Sequence, residues 1–323
     1  MEIFKYSKSV GFMGNSKKFA LLSSILIIIS LGLFITKGFN FGIDFAGGTL
    51  IQVKYKNDAP ISKVRDILSK SEDFNGASVT YFGSNKEIII KIKTVSSAVG
   101  DDVGDRINKV IASTGDFEIR RVDMVGPKVG NELKEKGLMA MFLAILGILI
   151  YISFRFEWRF AVASVLALLH DITIVIGAIV LFRVEVNLDI LAAMLTILGY
   201  SLNDTIIVFD RIREGINTIK SPNLSDVIDE SVTKTLSRTT LTSLTTFLVV
   251  FVLYIFGGEI IHGFSFTLLV GVIIGTYSSI FVASPILIWL KFSISEYRAK
   301  KVEIEKREKE KDRLRAQYEQ GII

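Results

Sequence analysis

Six stretches of the chain are almost unbroken runs of apolar residues: 19–36, 138–154, 160–182, 188–209, 239–256 and 264–290. A bilayer core takes about 20 apolar residues per helix, so each run predicts a membrane-spanning helix. Lys17 and Lys18 precede the first run as the basic end of a signal peptide would. No small-x-small cleavage site follows Thr36, and the run reads as an uncleaved anchor.

The pattern changes between the first two runs. Residues 49–56 alternate, with Ile51, Val53 and Tyr55 on one face and Gln52, Lys54 and Lys56 on the other, which predicts a strand. Pro60 suits a first helical position, and Ile61, Val64 and Leu68 then form an apolar stripe. Residues 77–82 and 87–93 predict two more strands, turned at Gly83-Ser84-Asn85. Residues 101–113 predict a helix with Val103, Ile107, Val110 and Ile111 on one side, and 117–125 a fourth strand. The order βαββαβ is the ferredoxin-like α+β arrangement. The predicted organisation is an N-terminal arm (1–18), a first span (19–36), an external domain (37–137), five further spans (138–290) and a charged tail (291–323).

Composition supports this picture. Half of the 323 residues are hydrophobic, too many for an ordinary soluble domain of this size. The chain has no Cys, which excludes disulfides, thiol catalysis and Cys-based zinc sites, and only two His, which argues against a His-rich metal site. The external domain has neither His nor Cys and no phosphate-loop spacing. No enzyme activity, metal or cofactor is predicted. The formal charge of +5 lies largely beside the apolar runs, so it reads as a topology signal and not as a nucleic-acid surface. Lys5, Lys8, Lys17, Lys18, Arg155, Arg159, Arg211, Arg213, Lys220, Lys234 and Arg238 fall on one side, whereas the short loops of the other side hold only Arg183. Both termini are therefore expected in the cytoplasm and the domain outside. The tail mixes both signs and reads as a solvated helix or a mobile segment beside anionic lipid.

Two glycine-rich joints frame the external domain. FGIDFAGGT (41–49) carries Gly42, Gly47 and Gly48, and VGPKVGNEL (125–133) carries Gly126-Pro127, a turn followed by a helix start. They are either plain connectors or hinges through which span movement reaches the domain.

Ionisable groups inside the spans are the main chemical signal. Each costs about 2.5–3.5 kcal/mol on insertion, and such groups usually face the bundle interior. His170-Asp171 falls roughly 16 Å into span three, and Asn203-Asp204 about 8 Å from the end of span four, at the α-helical rise. Span five opens SRTTLTSLTT (237–246), which puts Arg238, Thr242 and Thr245 or Thr246 on one face. Its hydroxyls suit either proton relay or interhelical packing, with packing the simpler reading. Arg238 lies close enough to the edge to snorkel to the headgroups, and Asp210 and Arg211 read as interfacial charges. A carboxylate withdrawn from water favours its protonated form, and a nearby guanidinium opposes this. A site holding Asp204 near Arg238 would therefore couple protonation to helix position; a static buried pair is the alternative.

FGIDFAGGT, VGPKVGNEL, LHD (169–171), LNDTIIVFDRIRE (202–214) and SRTTLTSLTT, in this order and spacing, resemble the SecF family of protein-export membrane subunits over residues 17–290. The resemblance implies pairing with SecD, kinship with resistance–nodulation–division transporters, and work beside the SecYEG channel, with YajC and YidC in some bacteria. It implies use of the proton-motive force on a translocating preprotein at the bacterial cytoplasmic membrane. It places Asp204 and Arg238 in the proton pathway, and assigns His170 and Asp171 only weakly. Two alternatives remain open: a superfamily transporter of lipids or drugs, and a purely structural subunit of the translocon. The single small outer domain argues against the first, because efflux relatives usually carry larger porter domains and two six-span halves.

Overall fold

The computed structural model describes residues 9–93 and 102–319. Lys5, Lys8, Asp101 and the last residues of the tail, all named above, lie outside the described residues. In chain order the helices and strands are α1 (Ser16–Lys37), β1 (Asn40–Phe41), α2 (Ile43–Ala46), β2 (Gly48–Tyr55), α3 (Ile61–Lys70), β3 (Ser78–Phe82), β4 (Ser84–Ile92), α4 (Asp102–Ile111), β5 (Phe117–Val125) and α5 (Pro127–Arg155). They continue with α6 (Trp158–Leu181), β6 (Glu185–Val186), α7 (Leu188–Thr218), α8 (Leu224–Phe256), α9 (Gly258–Ser278), a π-helical turn (Ser279–Ala283), α10 (Ser284–Trp289) and α11 (Ile294–Glu319). Six helical stretches are long and apolar enough to cross a membrane, and the chain is a multi-pass membrane protein.

Between the first two spans β2, β3, β4 and β5 form one antiparallel sheet in the order β3-β4-β2-β5, the strand order of the ferredoxin-like fold. Ile51, Val53, Ile88 and Ile90 turn one face of it onto Val64 and Leu68 of α3 and Ile107 and Ile111 of α4, and all eight are buried. Three expectations shift by a few residues. Pro60 caps α3 instead of opening it. The turn after β3 narrows to Gly83, because Phe82 already pairs with Ser84, and β4 therefore starts at Ser84. The helix expected over 101–113 ends at Ile111 and tightens into a 3-10 turn over Ala112–Thr114.

The helical bundle is lopsided. The hydrophobic faces of α6, α7 and α9 are buried against one another, with Phe160, Ala163, Ile190, Ala193, Ile197 and Thr267 among their inaccessible residues. By contrast α1, α5 and α8 expose large apolar side chains such as Ile28, Phe142, Phe154, Val249 and Phe256. These surfaces face lipid or partner helices in a membrane.

Three helices run well beyond their apolar runs. α5 begins at Pro127 and not at 138, α7 continues to Thr218, and α8 begins at Leu224 and not at 239. Hydropathy underestimates them because these extensions are amphipathic instead of uniformly apolar. Val227, Ile228, Ser231, Val232 and Thr235 recur at helical spacing and are buried. They meet Phe209, Ile212 and Ile216 of α7 in one cluster with Met13, Phe160 and Phe292. Asn223 caps α8 by accepting from the Ser225 amide at 3.2 Å. The N-terminal arm is docked there: the Val10 amide donates to Thr233 Oγ1 at 3.0 Å and the Met13 amide to Asp229 Oδ1 at 2.8 Å. The tail leaves as a helix whose base is fixed by Arg298, which donates to the Ile216 and Ile219 carbonyls at 2.7 and 2.8 Å and so closes the end of α7.

Span six departs from a continuous α-helix. Pro285 lacks the amide that an α-helix would use, and the helix widens to a π turn just before it, over Ser279–Ala283. Ser284 Oγ donates to the Ser279 carbonyl at 3.0 Å within this segment.

Span one seats on span three through Gly177. A Cβ there would lie 2.1 Å from Ser30 Oγ and 2.8 Å from the Ser30 Cα. Gly177→Val is expected to push α1 off α6 and to destabilise the protein by about 1–3 kcal/mol. Gly177→Ala should do less, and thermal unfolding of the purified protein in detergent checks the order.

Candidate functional site

The buried charges of the bundle lie where α6, α7, α8 and α9 meet. Asp171 and Asp204 are both 0% exposed. Each lies on the helix face turned inward by the surrounding apolar pattern: Leu168 and Val175 flank Asp171, and Ser201 and Val208 flank Asp204 at helical spacing.

Asp171 is held on all sides. Its Oδ2 accepts from Ser201 of α7 at 2.5 Å and from Ser278 of α9 at 2.7 Å. Its Oδ1 lies 2.8 Å from His170 Nδ1. His170 Nε2 reaches Ser23 Oγ of α1 at 3.1 Å, Ser23 Oγ is 2.9 Å from Tyr277 OH, and Tyr277 donates to the Phe19 carbonyl at 2.9 Å. A chain of hydrogen bonds therefore runs from span one through span three to spans four and six.

Asp204 is held more loosely. Its Oδ2 accepts from Ser243 of α8 at 3.2 Å, and Thr276 of α9 donates to Ser243 Oγ at 2.8 Å. Its Oδ1 is buried with no hydrogen-bond partner among the described residues. A buried acceptor without a donor is costly, about 1–3 kcal/mol.

The predicted site residues separate accordingly. His170 and Asp171 are joined in the larger network. Arg238 is exposed, and among the described residues it forms no ion pair with Asp204. It lies five residues before Ser243, about 140° around α8 from the side chain that meets Asp204. The static Asp204–Arg238 pair is therefore not present in this conformation. Asn203 is exposed on the outer side of α7. Thr242 and Thr245 donate to their own helix, to the carbonyls of Arg238 and Thr242 at 2.9 Å each, and among the described residues bond no other span. Ser243, between them, is the hydroxyl that crosses to α7. Asp210 pairs with Arg155 and Arg213 at 3.5 and 3.0 Å at the far end of the bundle, as an interfacial charge would.

Ser23, Ser201, Ser243, Thr276, Tyr277 and Ser278 were not singled out as site residues by the sequence pattern. Ser201 had one available signal, its place one turn before Asp204, although its bond goes to Asp171 instead. The others look like ordinary small or polar residues of membrane helices until the helices are packed.

At the sheet end of the bundle the two glycine-rich joints lie against each other. Gly48 pairs with Val125 in the sheet, and a Cβ on Gly47, at φ 80°, would lie 3.2 Å from the Pro127 backbone and the Val125 carbonyl oxygen. A Cβ on Gly48 (φ 149°) would lie 2.3 Å from the Ile92 carbonyl oxygen, so only glycine fits. Gly126 caps α5 and Pro127 is its first residue. The Gly42 amide donates to the Val186 carbonyl at 2.9 Å beside the short parallel pair β1–β6. Asp44 accepts from the Leu188 amide at 3.0 Å at the start of α7. One clasp thus ties spans one, two and four to the sheet.

Comparison with known proteins follows the same outline. The profile of the protein export membrane protein SecD/SecF C-terminal region matches residues 105–293, and that of the SecD/SecF GG motif matches residues 32–59. Protein translocase subunit SecF of Helicobacter pylori strain 26695 is 47% identical over 323 residues, covering all of both chains. That of Escherichia coli O157:H7 is 40% identical over 287 residues, 88% of each chain. The crystal structure of SecDF from Thermus thermophilus, described as a translocon-associated membrane protein, superposes with a TM-score of 0.78 at 33% identity, covering 90% of this chain and 40% of that one. SecDF in its super-membrane-facing form superposes at 0.70 and 32% identity, covering 93% and 41%.

Replacing Asp171 by Leu would leave the Ser201 hydroxyl unpaired, at about 1–3 kcal/mol, and Ser278 with only its 3.1 Å bond to the Gly275 carbonyl. Asp171→Leu should therefore lower the thermal unfolding temperature clearly, whereas Arg238→Ala, at an exposed position, should leave it unchanged. A matching loss in both variants would contradict this packing.

Proposed function

Given that the chain belongs to the SecD/SecF family of protein export membrane proteins and is a subunit of the Sec protein-export machinery, we propose that it draws on the proton-motive force to promote late-stage translocation of preproteins across the cytoplasmic membrane. The observation that carries this reading is Asp204, fully buried in the bundle yet with one carboxylate oxygen unbonded. A group held so loosely can gain or lose a proton with little rearrangement. Each proton crossing the membrane releases about 2.3 kcal/mol per 100 mV, enough to bias a conformational equilibrium.

Arg238 is the proposed counter-charge. Its distance from Asp204 in this conformation defines the change the mechanism needs, a rotation or slide of α8 that brings the guanidinium inward. Proton loss from Asp204 would favour that movement and proton gain would reverse it. The hydroxyls of Thr242 and Thr245 lie on the helix that moves. The clasp around Gly42, Gly47, Gly48, Gly126 and Pro127 is the proposed transmission to the external domain, because spans one, two and four meet the sheet there. We place both termini in the cytoplasm and the sheet domain outside. The exposed apolar faces of α1, α5 and α8 are the surfaces we assign to SecD and lipid, with SecYEG, and in some bacteria YajC and YidC, completing the assembly around the preprotein.

Export driven by a proton gradient, measured in proteoliposomes holding the chain, its SecD partner and the channel, tests this. Asp204→Asn should abolish the gradient-dependent fraction of translocation while leaving the ATP-driven fraction. Unchanged gradient dependence in Asp204→Asn would reduce the chain to a structural stabiliser of the translocon.

A further inference from the structure

The hydrogen bonds leading from Phe19 to Asp171 can be satisfied together in only one direction. Tyr277 has a single hydroxyl hydrogen, and the Phe19 carbonyl, which can only accept, takes it at 2.9 Å. The 2.9 Å contact between Tyr277 OH and Ser23 Oγ then needs the Ser23 hydrogen. Ser23 has no second hydrogen, so its 3.1 Å contact with His170 requires that Nε2 carry a proton and donate.

That fixes the other side of the ring. A neutral imidazole protonated at Nε2 is bare at Nδ1, and Nδ1 lies 2.8 Å from Asp171 Oδ1. Two acceptors at that distance would repel, so a proton must lie between them. Either the Asp171 carboxyl donates to a neutral ring, or an imidazolium donates to the carboxylate. The other oxygen, Oδ2, already accepts from Ser201 and Ser278, so the bridging proton lies between Oδ1 and Nδ1.

We propose that His170 and Asp171 form a second proton-binding site of this chain, holding one shared proton between Asp171 Oδ1 and His170 Nδ1. Ser23 and Tyr277 are its positioning residues, and they set the tautomer. Ser201 and Ser278 position the carboxylate. From α6 the site is faced by its own two members, from α1 by Ser23, from α7 by Ser201, and from α9 by Tyr277 and Ser278. No Lys or Arg among the described residues bonds it, so the shared proton supplies the positive charge opposite the carboxylate.

The site is also tied to Asp204. Ser278 bonds Asp171, and Thr276, two residues earlier on α9, bonds the Ser243 hydroxyl that bonds Asp204. One helix thus holds a hydroxyl on each carboxylate's network, and Ser201 is on the same face of α7 as Asp204. Loss or uptake of the shared proton acts on the position of α9 and through it on Asp204. This coupling rests on the transport role proposed for Asp204; the shared proton itself does not.

The chain has two histidines, so histidine labelled with nitrogen-15 in a His262→Gln background reports His170 alone. Solid-state NMR of the full labelled chain with its unlabelled partner in proteoliposomes should show Nε2 protonated at neutral pH. A neutral ring with a bare Nε2 and a proton on Nδ1 would overturn the site. Tyr277→Phe removes the acceptor of the Ser23 hydrogen, and the bare-Nε2 form should then appear; its absence in that variant would overturn the directional chain. Gradient-driven export separates the two readings. An Asp204→Asn variant with normal export and a protonated Nε2 sinks the transport role alone, and a bare Nε2 with export lost in Asp204→Asn sinks the second site alone.

Discussion

Two carboxyl groups without solvent contact dictate much of this bundle. Hydrocarbon offers them no hydrogen bonds, so the helices around them must. Ser201, Ser278 and His170 do this for Asp171, and Ser243 with Thr276 does it for Asp204. Hydroxyls on three different helices and the imidazole of a fourth must converge within hydrogen-bonding distance, which requires close backbone approach. Small residues permit it: Gly275 packs tightly against Ser201, where a Cβ would lie 3.0 Å from the serine Cβ, and Gly177 leaves no room for a Cβ beside Ser30. The tight contacts among α6, α7 and α9 and the seat of α1 follow from that requirement.

The two carboxylates are held with unequal firmness. Asp171 has both oxygens engaged and sits at the end of a relay anchored on a backbone carbonyl. Asp204 has one weak bond and one idle oxygen, next to a helix whose outward face is lipid- or partner-exposed. Rigidity therefore lies on the span three side and freedom on the span five side. The polar extensions of α7 and α8, pinned by the N-terminal arm and by Arg298, hold the far ends of the same helices.

Most of the architecture was legible in the sequence because it rests on simple periodicities. Uniform apolar runs gave the spans, and alternation at 51, 53 and 55 gave the sheet's inner face. The helix extensions were missed because residues such as Asp226, Glu230 and Lys234 interrupt hydropathy while Val227, Ile228 and Val232 still make a buried stripe. Asp171 and Asp204 announced themselves as charges in apolar surroundings. Their partners did not, since a serine in a membrane helix bonds its own backbone as readily as a neighbour, as Ser153 and Ser24 do here. Arg238 shows the limit from the other direction: spacing put it on one face with Thr242 and Thr245, but only packing shows that Ser243 is the side chain that meets Asp204.

The π turn in span six has a consequence for reading and redesigning this helix. A π turn holds more residues than an α turn, so the stripes before and after it are out of phase. Ser278, Ser279 and Ser284 are all inaccessible to solvent, a set that one uninterrupted 3.6-residue stripe would not place together. Comparisons of aligned positions across residues 279–283 must shift frame at that point. A single-residue deletion in this segment would close the π turn to an α turn and leave everything after it, Pro285 and the root of α11 included, in its present orientation to the two carboxylates, whereas a deletion one turn later would rotate the remainder by about 100°.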